Sequence, residues 1–272
     1  MPTLSVPGAE LCYESAGPAS APALLLLPAG IATLRMWDAQ VDALAEEHLV
    51  VRYDPRGFGG TRHDEAVPFA NHADAVALLD HLGIEAATVI GASRGGRLAL
   101  DTALAAPDRV RGVATVGSVP GGTPDQPLTD EEQRSFDEIE AIDLTQDAAR
   151  YLRLEAEVWA VGFGRSAADV DPRFLQRARE LNALNIGHVH DDGTVLPLEP
   201  PACERLGDIR SPALVIVGEH DLSEELAAHD HLLAKLPDAT GVRIAGTAHL
   251  PSVERPEEFT RVLLDWLREH AL

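Results

Sequence analysis

The sequence predicts an α/β fold: a mostly parallel twisted sheet with helices on both faces and an inserted helical cap. Three observations predict it. The continuous apolar run at 24–27 and the mostly apolar runs at 49–53, 87–90 and 110–116 have the composition of strands buried on both sides. Segments of helical periodicity at 36–47, 71–82 and 97–104 lie between them, as crossover connections require. The alternation stops at the breaker cluster Pro120-Gly121-Gly122-Thr123-Pro124 and resumes at the apolar run 213–217. The core is therefore assigned to 1–120 and 205–272, and the cap to 121–204.

The elements follow in order. Residues 4–6 and 10–15 read as an opening hairpin around Pro7-Gly8. The run 24–27 enters a small-residue loop, Pro28-Ala29-Gly30-Ile31-Ala32, and Trp37 stands on the apolar face of the helix that follows. The strand at 49–53 ends in a glycine-rich turn from Asp54 to Thr61. Gly83 suits the C-cap of the helix at 71–82. Within 121–204, helices are expected at 129–142, 146–159 and 172–184, the first opened by a capping-box spacing from Thr129 to Glu132. A strand at 213–217, a helix at 224–236, a strand at 240–244 and an amphipathic helix at 256–270 complete the core.

Composition excludes several classes of function. A formal charge of −22 over 272 residues repels nucleic acid and anionic membranes. No apolar run is long enough to span a bilayer, and no N-terminal stretch has signal-peptide character. Cys12 and Cys203 are far apart and form no metal pattern, which suits a reducing, cytoplasmic setting. Lys235 is the single lysine and has no active-site pattern around it, so Schiff-base chemistry is not expected. No cofactor and no metal are expected, and the partner is a small-molecule substrate.

The chemistry is read from three strand ends. Gly91-Ala92-Ser93-Arg94-Gly95 joins the strand at 87–90 to a strong helix former. Such a corner strains the backbone at its central residue and holds that side chain above the sheet, facing a helix N-terminus. Asp221 and His249 follow two later strands, and the chain order Ser, Asp, His suits a nucleophile activated by an imidazole that a carboxylate orients. Glu219 is the rival acid. Asp54 and Arg56 read as structural, whereas Arg35 and Arg94 are candidates to meet an anionic substrate. Trp159 and Phe163 either line a pocket or fill the cap's own core. The rival constellation is His188-Val189-His190-Asp191-Asp192, whose alternating histidines suggest zinc but lack a further histidine soon after.

Five motifs in order carry a family resemblance: Trp37 after the loop, Asp54-x-Arg56-Gly57-x-Gly59-x-Thr61, Gly91-x-Ser93-x-Gly95-Gly96, Gly218-x-x-Asp221 and Gly246-x-x-His249. On these the chain resembles the α/β-hydrolase superfamily, in particular small esterases and lactonases of the 3-oxoadipate enol-lactonase and cofactor-free perhydrolase kind. The resemblance implies Ser93 as nucleophile, His249 as general base and acid, and Asp221 as orienting carboxylate. It also implies an oxyanion hole from the N–H groups of Gly30 and Arg94; Trp37, Trp159 and Phe163 are candidate substrate-binding residues. The implied activity is hydrolysis of an ester or lactone. Non-hydrolytic uses of the same scaffold (perhydrolase, C–C-bond cleavage, cyclase, ligand receptor) and a metal-dependent hydrolase using His188 and His190 are the alternatives. The sequence departs from the family pattern at Pro28-Ala29, where relatives carry His-Gly, and at Thr61, where serine is usual.

Overall fold

The computed structural model describes residues 1–189, 191 and 193–272. The chain opens with the hairpin β1 (Thr3–Val6) and β2 (Ala9–Ala16), followed by β3 (Ala23–Leu27), α1 (Asp38–Leu44), β4 (Leu49–Tyr53) and the two-residue β5 (Arg62–His63). Next come α2 (Asn71–His81), β6 (Ala87–Ala92), α3 (Arg94–Ala105) and β7 (Val110–Val116). Helices α4 (Asp130–Glu140), α5 (Leu144–Ala156), α6 (Pro172–Ala183) and α7 (Ala202–Arg205) then intervene. The core closes with β8 (Ala213–Gly218), α8 (Ser223–Lys235), β9 (Ala239–Ile244), α9 (Pro251–Glu254) and α10 (Pro256–Glu269).

The sheet runs β1-β2-β4-β3-β6-β7-β8-β9, with β5 pairing β2. Pairings from β4 through β9 are parallel, and β2 is antiparallel to β4. Alternate strand residues face opposite sides, so two apolar layers form. Leu24, Leu26, Ile90 and Ile216 pack with Trp37, Phe259 and Leu263 on one face. Leu25, Leu27, Val89 and Val215 pack with Leu78, Leu79, Ala99 and Leu232 on the other. Successive strands move outward in opposite directions from β3 and β6, which lie side by side with Leu27 opposite Gly91. A crevice opens at the carboxyl ends of strands where the order reverses in this way. The loops after β3 and β6 both leave from it.

Two elements differ from the sequence expectation. The single helix expected at 36–47 is a 3₁₀ turn, Leu34–Trp37, followed by the short α1. Asp54 accepts the Leu34 N–H at 2.7 Å and Thr33 accepts the Arg35 N–H, which fixes this tighter entry. The helix expected to run to residue 159 ends as α5 and widens into a π turn over Glu157–Val161, closed by Gly162 N–H to the Glu157 carbonyl at 3.1 Å. A widened turn redirects the side chains it carries, and Trp159 is one of them.

The insertion is tied into the core. Arg165 and Glu254 form a buried two-pronged ion pair at 2.7 and 2.8 Å, and Arg165 also donates to the carbonyls of Ala160, Val161 and Gly246. The Thr129 capping box is formed, and its Glu132 also accepts the Ser223 N–H at the start of α8. Among the described residues, no helix is long and apolar enough to cross a membrane.

Candidate active site

Ser93 occupies the corner between β6 and α3 at φ 51°, ψ −119°. A residue with a Cβ rarely adopts this conformation, and its cost is borne by the packing around it. Gly95 shows how close that packing is: a Cβ there would lie 2.4 Å from the Leu27 carbonyl oxygen. The first turn of α3 is therefore pressed against the end of β3. The Ser93 N–H donates to the Val116 carbonyl at 2.7 Å, which pins the corner to the end of β7.

His249 and Asp221 meet at that same strand end. Gly117, next after Val116, has φ 52°, and a Cβ on it would lie 2.6 Å from Asp221 Oδ2 and 3.0 Å from His249 Nδ1. Glycine is needed there on both counts. His249 Nδ1–H donates to Asp221 Oδ1 at 2.8 Å, and both side chains are essentially inaccessible to solvent. A carboxylate can only accept, so the proton sits on Nδ1 and Nε2 is left as the basic atom. Asp221 Oδ1 also accepts the Leu222 N–H at 2.9 Å. The rival acid Glu219 is exposed and accepts the Gly246 N–H at 2.8 Å instead, holding the loop that carries His249.

Burial alone would depress the His249 pKa, but the Asp221 charge, its hydrogen bond and the more distant Glu225 charge outweigh it, and the net shift is upward from 6.5. Glu225, buried on α8, is itself pushed up to about 7 by burial, with the Asp221 charge acting in the same direction. In the insertion, burial pushes Glu155 up to about 7 against hydrogen bonds from Tyr151, Trp159 and Asn182. Two consequences follow for pH dependence. An imidazole must be neutral to accept a proton, so kcat/KM should fall on the acid side with a midpoint above the ordinary value of 6.5. All three groups bind protons more tightly folded than unfolded, so their stabilisation is full below the unfolded values and lost as pH rises through the folded ones. The thermal midpoint should therefore drop as pH rises from about 4.5 to about 7. An acid limb below 6.5, or a midpoint that rises over this interval, contradicts the assignment.

The two N–H groups expected as donors come from different elements, Gly30 from the loop after β3 and Arg94 from the start of α3. Gly30 is half-buried, and its missing side chain leaves open space: nothing lies within 4 Å of where a Cβ would stand. Arg94 heads α3, so its N–H is one of the unsatisfied donors of a helix start. Its guanidinium lies over the Phe58 ring at 4.0 Å and is pulled down to about 10 by burial. No carboxylate pairs with it among the described residues. It lines a cavity of about 520 Å³ together with Arg97, Leu98, Asp101 and the 195–202 segment. Arg35, the other candidate for an anionic substrate, is occupied by Glu14 and Asp38. Asp54 and Arg56 are structural: Asp54 accepts from Leu34 and Gly60, and Arg56 binds Asp74 through two contacts.

The three aromatic candidates separate. Trp37 is fully buried among core residues and packs against Phe259 of α10 with ring centroids 5.9 Å apart. The apolar periodicity that put it on an inner face carried it past the site into the core. Trp159 lies against the His249 ring at 4.6 Å, and its carbonyl accepts the His249 N–H. Phe163 joins the Phe136 and Trp159 cluster at the edge of the insertion, and its N–H binds the His220 carbonyl. His188 has both ring nitrogens engaged, Nδ1 with Asp191 at 2.7 Å and Nε2 with the Gly59 carbonyl at 3.0 Å. His190 and Asp192 of that constellation lie outside the described residues. Sequence reading missed Asn185 and Arg165, whose partners lie in remote segments, and Glu225, which is buried on α8 near the Asp221 and His249 charges.

Known proteins share this architecture. The α/β-hydrolase fold pattern matches residues 22–256. The chain is 30% identical over 274 residues to a protein of Caulobacter sp. (strain K31) named "Putative carbamate hydrolase RutD", covering 94% of each. A protein of the same name from Azorhizobium caulinodans is 29% identical over 279 residues, covering 96% of each. The crystal structure of the enol-lactonase from Burkholderia xenovorans LB400 superposes with a TM-score of 0.75 at 25% identity, covering 98% of this chain and 100% of that one. With its mostly parallel sheet, its order reversing at β3 and β6, and its serine at the corner of β6 and α3, this chain belongs to the α/β-hydrolase fold family.

Proposed function

We propose that the protein is a cofactor-independent serine hydrolase that cleaves a carboxylic ester or lactone through an acyl-enzyme. One observation carries this reading: Ser93, strained at φ 51°, is bonded to Val116, while the adjoining Gly117 lies directly against the buried His249–Asp221 pair. Nucleophile, base and orienting acid thus border one strand end. In the reaction, Nε2 of His249 takes the Ser93 proton as Oγ attacks the carbonyl carbon. The oxyanion is held by the N–H groups of Gly30 and Arg94, donors that are positioned before charge develops. His249 then passes the proton to the departing oxygen, and a water that it deprotonates releases the acid and regenerates Ser93. Asp221 keeps its charge throughout and stabilises the imidazolium. Trp159 and the insertion shield the imidazole from solvent.

The names borne by the relatives, enol-lactonase and carbamate hydrolase, both describe transfer of an acyl group to water. A carbamate is therefore the second substrate class for the same machinery. The unpaired guanidinium of Arg94 favours substrates with an acidic group. The test is a panel of p-nitrophenyl esters, simple lactones and carbamates, neutral and carboxylate-bearing, with intact-mass detection of a covalent adduct. Turnover with an adduct on Ser93 is the expected result, acidic members being favoured. Ligand binding without labelling by a fluorophosphonate would point instead to a receptor or other non-hydrolytic use of the scaffold. Loss of turnover on exhaustive chelation would point to metal dependence.

A further inference from the structure

Asn185 follows α6 in the insertion and is 5% exposed, yet its side chain bonds to none of its sequence neighbours. Nδ2 donates to the carbonyl of Ala32 at 2.9 Å and to that of Gly30 at 3.3 Å. Oδ1 accepts the Gly59 N–H at 3.0 Å. Two carbonyls need a donor and one N–H needs an acceptor, so the partners fix which way the amide points. One side chain thereby joins the insertion, the loop after β3 and the loop after β4. His188 closes the same junction from the other side of Gly59 by bonding its carbonyl.

The loop after β3 is held at its flanks by the burial of Ala29 and Ala32 and by the Ala29 N–H at Met36 Sδ, 3.2 Å. Gly30 between them is half-buried, and nothing lies within 4 Å of where a Cβ on it would stand. Downstream, the loop is anchored by Asp54 at the Leu34 N–H, and within it Ala32 N–H reaches the Ala29 carbonyl at 3.1 Å. Between those anchors, the carbonyls of Gly30 and Ala32 are both bound by the Asn185 side chain.

We propose that Asn185 is a positioning residue for the oxyanion hole: by holding the Gly30 and Ala32 carbonyls, it sets the aim of the Gly30 N–H. The inference rests on the serine-hydrolase reading, in which that N–H is a donor to the oxyanion. It also makes the hole dependent on a seated insertion, since the amide that holds the loop comes from 185 and not from the core. The insertion therefore acts on the chemical step as well as on the shape of the pocket.

The experiment compares Asn185→Asp, Asn185→Ala and His188→Gln with the wild type. Asn185→Asp keeps the acceptor for Gly59 but sets a carboxylate oxygen against two carbonyls. Asn185→Ala removes all three bonds and keeps the test available should the charged variant fold poorly. Folding is checked by circular dichroism and thermal midpoint, and kinetics are referred to the folded fraction. Loss of one oxyanion donor costs on the order of 10²–10³ in kcat, and a misaimed donor falls short of that. Both Asn185 variants should lower kcat by about 10- to 100-fold, with KM changed less than about twofold. Affinity for a boronic-acid transition-state analogue should fall by the same factor. His188→Gln, which releases only the Gly59 carbonyl, should stay within about threefold. A folded Asn185 variant with kcat within threefold of wild type, or one in which only KM rises, overturns the proposal. The serine-hydrolase reading fails separately, by an active Ser93→Ala enzyme.

Discussion

Ser93→Ala is expected to lower kcat/KM by about 10⁴-fold or more while leaving the thermal midpoint nearly unchanged. The size follows from the role. Without Oγ no acyl-enzyme can form, and the remaining donors at Gly30 and Arg94 can only assist direct attack by water. The fold should persist because alanine keeps the Cβ and bonds the same Val116 carbonyl through its backbone. The strain at φ 51° is not relieved either, since alanine dislikes that conformation as serine does. The check is a kinetic comparison on the best substrate of the panel, with intact mass after fluorophosphonate treatment. Wild type should gain one adduct and the variant none. A variant that keeps a hundredth of the activity, or still carries the adduct, removes Ser93 from the mechanism.

Asp221→Asn should cost about 10⁴ in kcat, nearly as much, although it is almost isosteric. The amide can still accept the Leu222 N–H, so the turn after β8 should stand. The charge opposite His249 is what disappears. Two losses follow: the Nδ1–H tautomer is no longer enforced, and the imidazolium formed during attack is no longer stabilised. A second readout separates this from a loss of packing. With Asp221 neutral, the largest influence on the His249 pKa is burial, which lowers it. The acid limb of the residual activity should therefore move to lower pH than in the wild type. An Asn variant with a tenth of wild-type activity, or with an unmoved limb, contradicts the role given to Asp221.

The core was legible because its signals are local. Five mostly apolar runs separated by helical periodicity point to a parallel sheet, and the strands at 24–27, 49–53, 87–90, 110–116 and 213–217 lie at those positions within one or two residues. Ser93 was legible because a strand that turns at once into a helix needs glycine on both sides of the corner, a pattern confined to five residues. Asp221 was separable from Glu219 only through spacing, and geometry gives the reason: Glu219 is spent on the Gly246 N–H. Periodicity puts Trp37 on an apolar face, where it is fully buried, but a buried indole and a pocket-lining indole have the same periodicity. Asn185 was illegible in a different way. An asparagine after a helix reads as an ordinary C-terminal cap, and its partners lie 153 and 155 positions earlier in the chain. The π turn at Glu157–Val161 left no mark either, since residues of ordinary helical propensity form it.

The carbonyl of Trp159, its indole against His249, and the Arg165 bonds to Gly246 and Glu254 give the segment 159–165 a consequence for engineering. Segments between β7 and β8 cannot be exchanged among relatives as interchangeable attachments. A transplant that alters 159–165 removes the contacts that seat His249, and one that alters Asn185 removes the bonds to the Gly30 and Ala32 carbonyls. Chimeras should therefore keep these two short stretches from the recipient and draw new selectivity from the helices between them.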